Sequence, residues 1–258
     1  MSAFARLDLD GTPLSLEYQW VGVAESIHPT VVFLHEGLGS IALWKDFPER
    51  FCAACGLRGL VYSRNGYGRS TPRPHGERWT VDFMHRQAWQ VLPALLAELG
   101  IERPWLFGHS DGGSIALLHA ARFAVSGLVV AAPHIMVEDL SVKSIAEARA
   151  AYLEGGLRER LARYHDDIDS AFWGWNDIWL DPAFRAWDIR EHLAAIDAPI
   201  LAVQGEDDEY GTLEQIHGIA RLAPQTRLLV LPDCGHSPHR DQPGTLIAEA
   251  TRFMIGTA

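Results

Sequence analysis

Pro104-Trp105-Leu106-Phe107-Gly108-His109-Ser110-Asp111-Gly112-Gly113 is the stretch on which the fold turns. A short apolar run leads into G-x-S-x-G, and an apolar helical stretch follows from Gly112 to Phe123. Strand, sharp turn and helix form the context in which this motif presents a nucleophile. On so tight a turn the serine takes a strained backbone angle, and small neighbours keep strand and helix from clashing. The helix N-terminus beneath it favours a developing negative charge. A glycine turn that merely joins strand to helix is the plain alternative. The flanking elements and the second glycine at 113 favour the nucleophile.

Outward from the motif, strands alternate with helices. Upstream, Leu14 to Val23 and Thr30 to Leu34 read as strands, the second a continuous β-branched run suited to burial on both faces. A helix carries Trp44, Phe47, Phe51 and Cys55, and Gly59 to Ser63 is the next strand. Thr80 to Leu99 reads as a helix that Pro93 should kink. Downstream come strand Gly127 to Ala132, strand Ile200 to Gln204, helix Thr212 to Leu222, strand Arg227 to Leu231 and a last helix from Pro243 to Met254. This alternation predicts an α/β fold with a mostly parallel sheet covered by helices on both faces.

Between Val137 and Asp197 the rhythm breaks. Ser141 to Leu153 and Leu157 to Tyr164 read as helices, and residues 172–180 (FWGWNDIWL) are rich in aromatics. The stretch reads as a helical cap, residues 137–197, inserted after the sixth core strand and dividing the core into 1–136 and 198–258.

A nucleophilic serine needs a base, and the base needs an orienting group. After strand ILAVQ come Gly205-Glu206-Asp207-Asp208-Glu209, and after strand RLLVL come Pro232-Asp233-Cys234-Gly235-His236. In an open parallel sheet these groups and Ser110 share the carboxyl edge, where sites form. The chain order is serine, acid, histidine. Asp208 and Asp207 both stand as candidates for the acid.

On these motifs the chain resembles the α/β-hydrolase superfamily, among its small capped esterase-like members, over nearly its whole length from Leu14 onward. The resemblance implies the α/β-hydrolase fold, a catalytic triad of Ser110, His236 and Asp208, and no metal or organic cofactor. It also implies an oxyanion hole from the backbone N–H groups of Gly37 and Asp111. The family usually reads His-Gly where this chain reads His35-Glu36, which places a carboxylate near the pocket mouth. Arg64-Asn65-Gly66-Tyr67-Gly68-Arg69-Ser70 resembles the family's G-x-G-x-S turn. Relatives that cleave epoxides or carbon–halogen bonds carry an aspartate as nucleophile, so a serine implies an acyl-enzyme. The expected activity is therefore a carboxylesterase acting on a small to medium, largely apolar ester. Carbon–carbon, lactone, thioester or peptide hydrolysis and perhydrolysis use the same triad, and a slow-turnover ligand receptor is the non-enzymatic rival.

Among the remaining residues, His35, Leu38, His134, Trp173, Trp175 and Trp179 are candidates for the pocket wall. His35 and His134 have a second reading as ligands of loop backbone, and the tryptophans as cap core. Cys52, Cys55 and Cys234 read as core fillers, His109 as packed beneath the turn, and His239 as surface loop. An odd cysteine number in a chain of 258 residues suits a reducing compartment.

Charge excludes some partners. The chain holds 22 Lys and Arg against 33 Asp and Glu, a net charge of −11, with no basic cluster. Nucleic acid and anionic membrane are not expected, and no apolar run spans a bilayer. The start carries no secretory pattern. The expectation is a cytoplasmic monomer or homodimer whose partner is a small-molecule substrate.

Overall fold

Eight strands hydrogen-bond into one sheet in a computed structural model that describes residues 2–24, 26 and 28–256. They are β1 Ala3–Leu9, β2 Thr12–Gly22, β3 Val31–Leu34, β4 Arg58–Tyr62, β5 Trp105–His109, β6 Gly127–Ala131, β7 Ile200–Gly205 and β8 Thr226–Leu231. Their order is β1-β2-β4-β3-β5-β6-β7-β8. β2 runs antiparallel to both neighbours, and every other pair is parallel.

The parallel strands are apolar runs because helices cover both faces. Alternate residues then divide between two cores. Val32 and Leu34 of β3 enter the core shared with helix Asp111–Ala120 and the segment after β6. Val31 and Phe33 enter the opposite core, beside helices Phe47–Cys55 and Pro243–Gly256. There Phe33, Phe51 and Phe107 pack edge-on or tilted, with ring centroids 5.2–5.7 Å apart.

The N-terminal strand β1 escaped the sequence reading. It forms a hairpin with β2 through Asp10-Gly11, both with positive φ (54° and 82°). This is the turn for which Asp-Gly between alternating apolar residues is the usual signal. Pro93 also acts differently from the expected kink. Helix Phe83–Arg86 passes through one wide turn, Gln87–Val91, into helix Leu92–Glu98, with the proline in the first turn of the last piece. The missing N–H is absorbed where helical hydrogen bonding has already loosened.

Between β6 and β7 the chain is helical: Asp139–Glu154, Leu157–Leu161, Ile168–Trp179, a tight turn Pro182–Ala186 and Arg190–Leu193. Asp167 caps the third of these, its carboxylate accepting from the Ser170 N–H at 2.8 Å. An isolated Met136–Asp188 bridge and the Ile189 N–H to Ile135 carbonyl bond, 2.8 Å, tie its two ends together. Among the described residues no helix is long and apolar enough to cross a membrane.

Candidate active site

β5 ends at His109 and the next helix begins at Asp111, so one residue makes the turn. Ser110 takes φ 53° and ψ −122°, a region that strains a side-chain-bearing residue by about 1–3 kcal/mol. Close approach of the backbones demands the flanking glycines. A Cβ on Gly108 would stand 2.4 Å from the Gly112 carbonyl oxygen, and one on Gly112 2.1 Å from that of Leu34. The Ser110 N–H donates to the Ala131 carbonyl at 2.9 Å, and its own carbonyl accepts from Gly113 and Ser114 at 2.8 and 3.1 Å.

His236 arrives on the loop after β8. Its Nε2 lies 2.9 Å from Ser110 Oγ and its Nδ1 2.8 Å from Asp208 Oδ1. A carboxylate only accepts, so Nδ1 carries the proton and Nε2 is left to accept from the serine hydroxyl. Asp208, three residues past the glycine ending β7, is fixed in turn. Oδ1 accepts from the Tyr210 N–H at 2.9 Å, and Oδ2 from the Gln204 side-chain amide at 3.0 Å. Burial pushes its carboxyl up, but the His236 bond and charge and the Tyr210 N–H outweigh burial and hold it below the usual range. Asp207 is exposed, and its backbone N–H donates to the Cys234 carbonyl at 3.0 Å.

A pocket of about 240 Å³ opens over Ser110. Gly37 and Asp111 both line it, and among the described residues neither N–H donates to another group. Leu38, His134, Trp175 and Trp179 are also on its wall. Trp173 and His35 are not. Trp173 packs on Phe172 and Tyr152, centroids 5.1 and 5.5 Å away, with the Arg149 guanidinium over its ring. His35 spends both nitrogens on backbone: Nδ1–H donates to the Glu36 carbonyl at 2.7 Å, and Nε2 accepts from the Arg64 N–H at 3.0 Å. The carbonyl it holds belongs to the same peptide as the Gly37 N–H. His134 is pushed down to about 3 by burial and by His236 beside it, so it stays neutral.

His239 corrects the surface-loop expectation. The short helix Pro238–Asp241 turns it inward to 4% exposure, against Trp44, Phe47 and His109. His109 is buried as expected and also serves the histidine loop, its Nε2–H donating to the His236 carbonyl at 2.7 Å. Three contributors had no sequence signal in our reading. Tyr210 lays its ring 4.7 Å from that of His236, Gln204 clamps Asp208, and Ile145 adds an apolar wall. Glu36 stands at the pocket edge, 3.5 Å from His109 Nδ1 and 3.6 Å from Arg240. Burial works against its charge, yet His109, His239 and Arg240 hold its carboxyl well below the usual range. Among the described residues no cluster of three His, Cys, Asp or Glu side chains has metal-holding geometry.

Asp111 gives the site a pH signature. Burial pushes its carboxyl up to about 6 despite Arg64, 3.9 Å away, and the Trp179 indole N–H, 3.2 Å away. An acid raised on folding destabilises only where it ionises. The penalty is absent below the unfolded value near 4, grows up to pH 6 and is constant beyond. The difference amounts to about 3 kcal/mol. Asp111→Asn keeps an acceptor for Trp179 and removes the penalty. Its melting temperature relative to the parent should climb between pH 4 and 6 in thermal unfolding. A difference that stays level across that interval would show that the carboxyl does not titrate there.

Residues 31–250 match the alpha/beta hydrolase family. An sn-1-specific diacylglycerol lipase from Mus musculus is 24% identical, over 95% of this chain and 87% of its own. A bifunctional esterase/perhydrolase from Acinetobacter calcoaceticus is 26% identical, over 87% of this chain and 91% of its own. Among solved structures, a thermophilic esterase from Thermogutta terrifontis superposes with a TM-score of 0.75 at 20% identity, covering 99% of both chains. That likeness speaks for the fold.

Proposed function

The chain belongs to the alpha/beta hydrolase family, and from that premise we propose that it is a serine hydrolase of the carboxylesterase type acting through an acyl-enzyme on Ser110. One observation carries the reading: the unbroken relay Asp208–His236–Ser110, 2.8 and 2.9 Å, on a strained turn at the floor of a pocket. Ser110 Oγ attacks the ester carbonyl while His236 Nε2 takes its proton, and Asp208 stabilises the imidazolium that forms. The Gly37 and Asp111 N–H groups hold the oxyanion, assisted by the positive end of the helix that Asp111 opens. His236 returns the proton to the departing alcohol, and water repeats the sequence to release the acid.

The pocket supports a small to medium, largely apolar substrate. Leu38, Ile145, Trp175 and Trp179 are apolar walls around the nucleophile. A series of p-nitrophenyl esters from acetate to octanoate tests the proposal. Turnover highest on the shorter members supports it, and no turnover on any member overturns the esterase reading.

The same series separates pocket tryptophans from packing ones. Trp175 lies against the oxyanion loop, its Nε1 only 2.1 Å from where a Gly37 Cβ would stand. Trp175→Ala opens space at the acyl group, and the octanoate-to-acetate ratio of kcat/KM should rise at least about tenfold. Trp187, 6% exposed, instead stacks on Phe184 with centroids 5.4 Å apart. Trp187→Ala should destabilise by about 3–5 kcal/mol and leave the ratio unchanged. Equal ratios in both variants would mean that the insertion does not select substrate through Trp175.

A further inference from the structure

Helix Asp139–Glu154, the first of the insertion, is hydrogen-bonded along the loop that carries Asp208. Glu138, which opens this helix, Ser141 and Ser144 recur at steps of three, and residues so spaced share a helix face. Each bonds the loop, in antiparallel order. The Ser144 hydroxyl donates to the Glu209 carbonyl at 2.5 Å, and the Ser141 hydroxyl to the Tyr210 carbonyl at 2.5 Å. The Glu138 carboxylate accepts from the Thr212 N–H at 2.9 Å. A serine within a helix commonly turns its hydroxyl back to the helix's own backbone or out to water. These two give theirs to one neighbouring loop.

The far ends of the two bonded peptides meet the relay. The Glu209 carbonyl shares its peptide with the Tyr210 N–H, and the Tyr210 carbonyl shares its own with the Gly211 N–H. Both N–H groups donate to Asp208 Oδ1, at 2.9 and 3.3 Å. That oxygen is the one that accepts from His236 Nδ1, at 2.8 Å. A peptide is planar, so a bond at its oxygen fixes the direction of its N–H. Bonds in series also polarise and strengthen one another. Resting on the hydrolase reading above, we propose that Ser141 and Ser144 are positioning residues of the reaction. They turn two N–H groups onto the Asp208 oxygen and thereby hold it against His236. The insertion then supports the relay besides walling the pocket, and Ile145, next to Ser144, stands in that wall.

Steady-state kinetics on p-nitrophenyl acetate tests these roles with Ser141→Ala, Ser144→Ala and the pair, each well beneath its melting range. Alanine is the better helix former, so the helix itself is not weakened. The pair should lose at least about tenfold in kcat, part of the roughly 10²-fold that 1 Å of misplacement can cost, with KM changed less than about threefold. Ser144→Thr keeps the hydroxyl at a half-buried position and should hold kcat within about twofold. In an Asp208→Asn background the relay is already broken, so the pair should cost less than about twofold more. Should the pair fail to fold, Ser144→Ala alone decides, with a loss of at least about fivefold in the parent and the same small cost in Asp208→Asn. A folded pair that keeps its kcat overturns the proposal, and so does a loss confined to KM, which would make the serines mere wall. An undiminished loss in the Asp208→Asn background also overturns it. The effect would then run through Glu209, whose carboxylate accepts from the His236 N–H at 3.1 Å.

A chain that turns over no ester refutes the esterase reading alone, because the positioning role can be read without substrate. The proton on His236 Nδ1, held by Asp208 Oδ1, should give a downfield imidazole resonance in proton NMR, assigned by its loss in His236→Gln. It should shift or broaden in the alanine pair, or in Ser144→Ala if the pair does not fold, and stay in place in Ser144→Thr. A resonance that the alanine substitutions leave unmoved overturns the proposal whatever the substrate.

Discussion

Ser110→Ala should fold as the parent does and lose at least about 10³-fold in kcat/KM on any ester the parent turns over, because groups that act as a unit are lost together. The side chain touches little besides His236, at 2.9 Å, so its removal leaves packing intact. Alanine keeps the strained φ of 53°, and its melting temperature should match the parent's. Ser110→Gly adds a control, because glycine adopts that angle without strain. It should be equally inactive yet more stable by about 1 kcal/mol. A fluorophosphonate reagent should add to Ser110 in the parent and to neither variant. Adduct on another residue, or activity surviving in the alanine variant, would remove Ser110 as nucleophile.

How much of this was legible in the sequence depends on how local each determinant is. The turn at Ser110 is set largely by residues 108–113: Gly108 answers to the Gly112 carbonyl within the turn, and Gly112 alone also answers to the Leu34 carbonyl of β3. Asp208 is nearly as local: the strand ends at Gly205, and the carboxylate is placed by the chain's immediate reversal and the Tyr210 N–H. The pocket wall is not local. His35 shares a loop with Gly37, but its ring direction is decided by Arg64, 29 positions away. His239 was read as surface because it lies off the Gly-His pattern of the loop, although what buries it is Trp44 and Phe47 from another segment.

The tryptophans held a signal that went unread. Phe172, Trp175 and Trp179 recur at steps of three and four, one stripe of the helix Ile168–Trp179. Trp173 falls off that stripe, onto Tyr152 and away from the pocket. Counting the rings as one cluster hid the helical period that sorts them. The missed β1 has a similar cause. Its burial alternates along a partly charged strand, so hydrophobicity was weak, whereas the Asp10-Gly11 turn announced a hairpin.

The acid of the relay provides the second large effect. In the parent, Asp208 Oδ1 accepts from His236 Nδ1–H and thereby keeps the lone pair of Nε2 directed at Ser110. Asp208→Asn preserves size and the acceptor for the Tyr210 N–H, but offers the ring an amide of either polarity and no charge. An imidazole facing the amide N–H must move its proton to Nε2, where it can no longer accept from the serine. The stabilisation of the imidazolium disappears as well. Together these should lower kcat by roughly 10⁴, the size expected when a serine triad loses its acid without losing its shape. Stability has its own sign. A carboxyl held below its usual range stabilises the fold above the unfolded value near 4 and loses that contribution as the pH falls through the folded value. The variant should therefore melt below the parent at pH 7, with the gap closing toward pH 3, and its rate belongs well beneath the melting range. Asp207→Asn is the matched control. Asp207 is exposed, and its contact to the loop is through backbone, so the rate should change less than about threefold, the scale of exposed substitutions. Steady-state kinetics of the two variants checks the assignment. The larger loss falling on Asp207→Asn would mean that the loop after β7 rearranges in the working enzyme and that Asp207 orients His236.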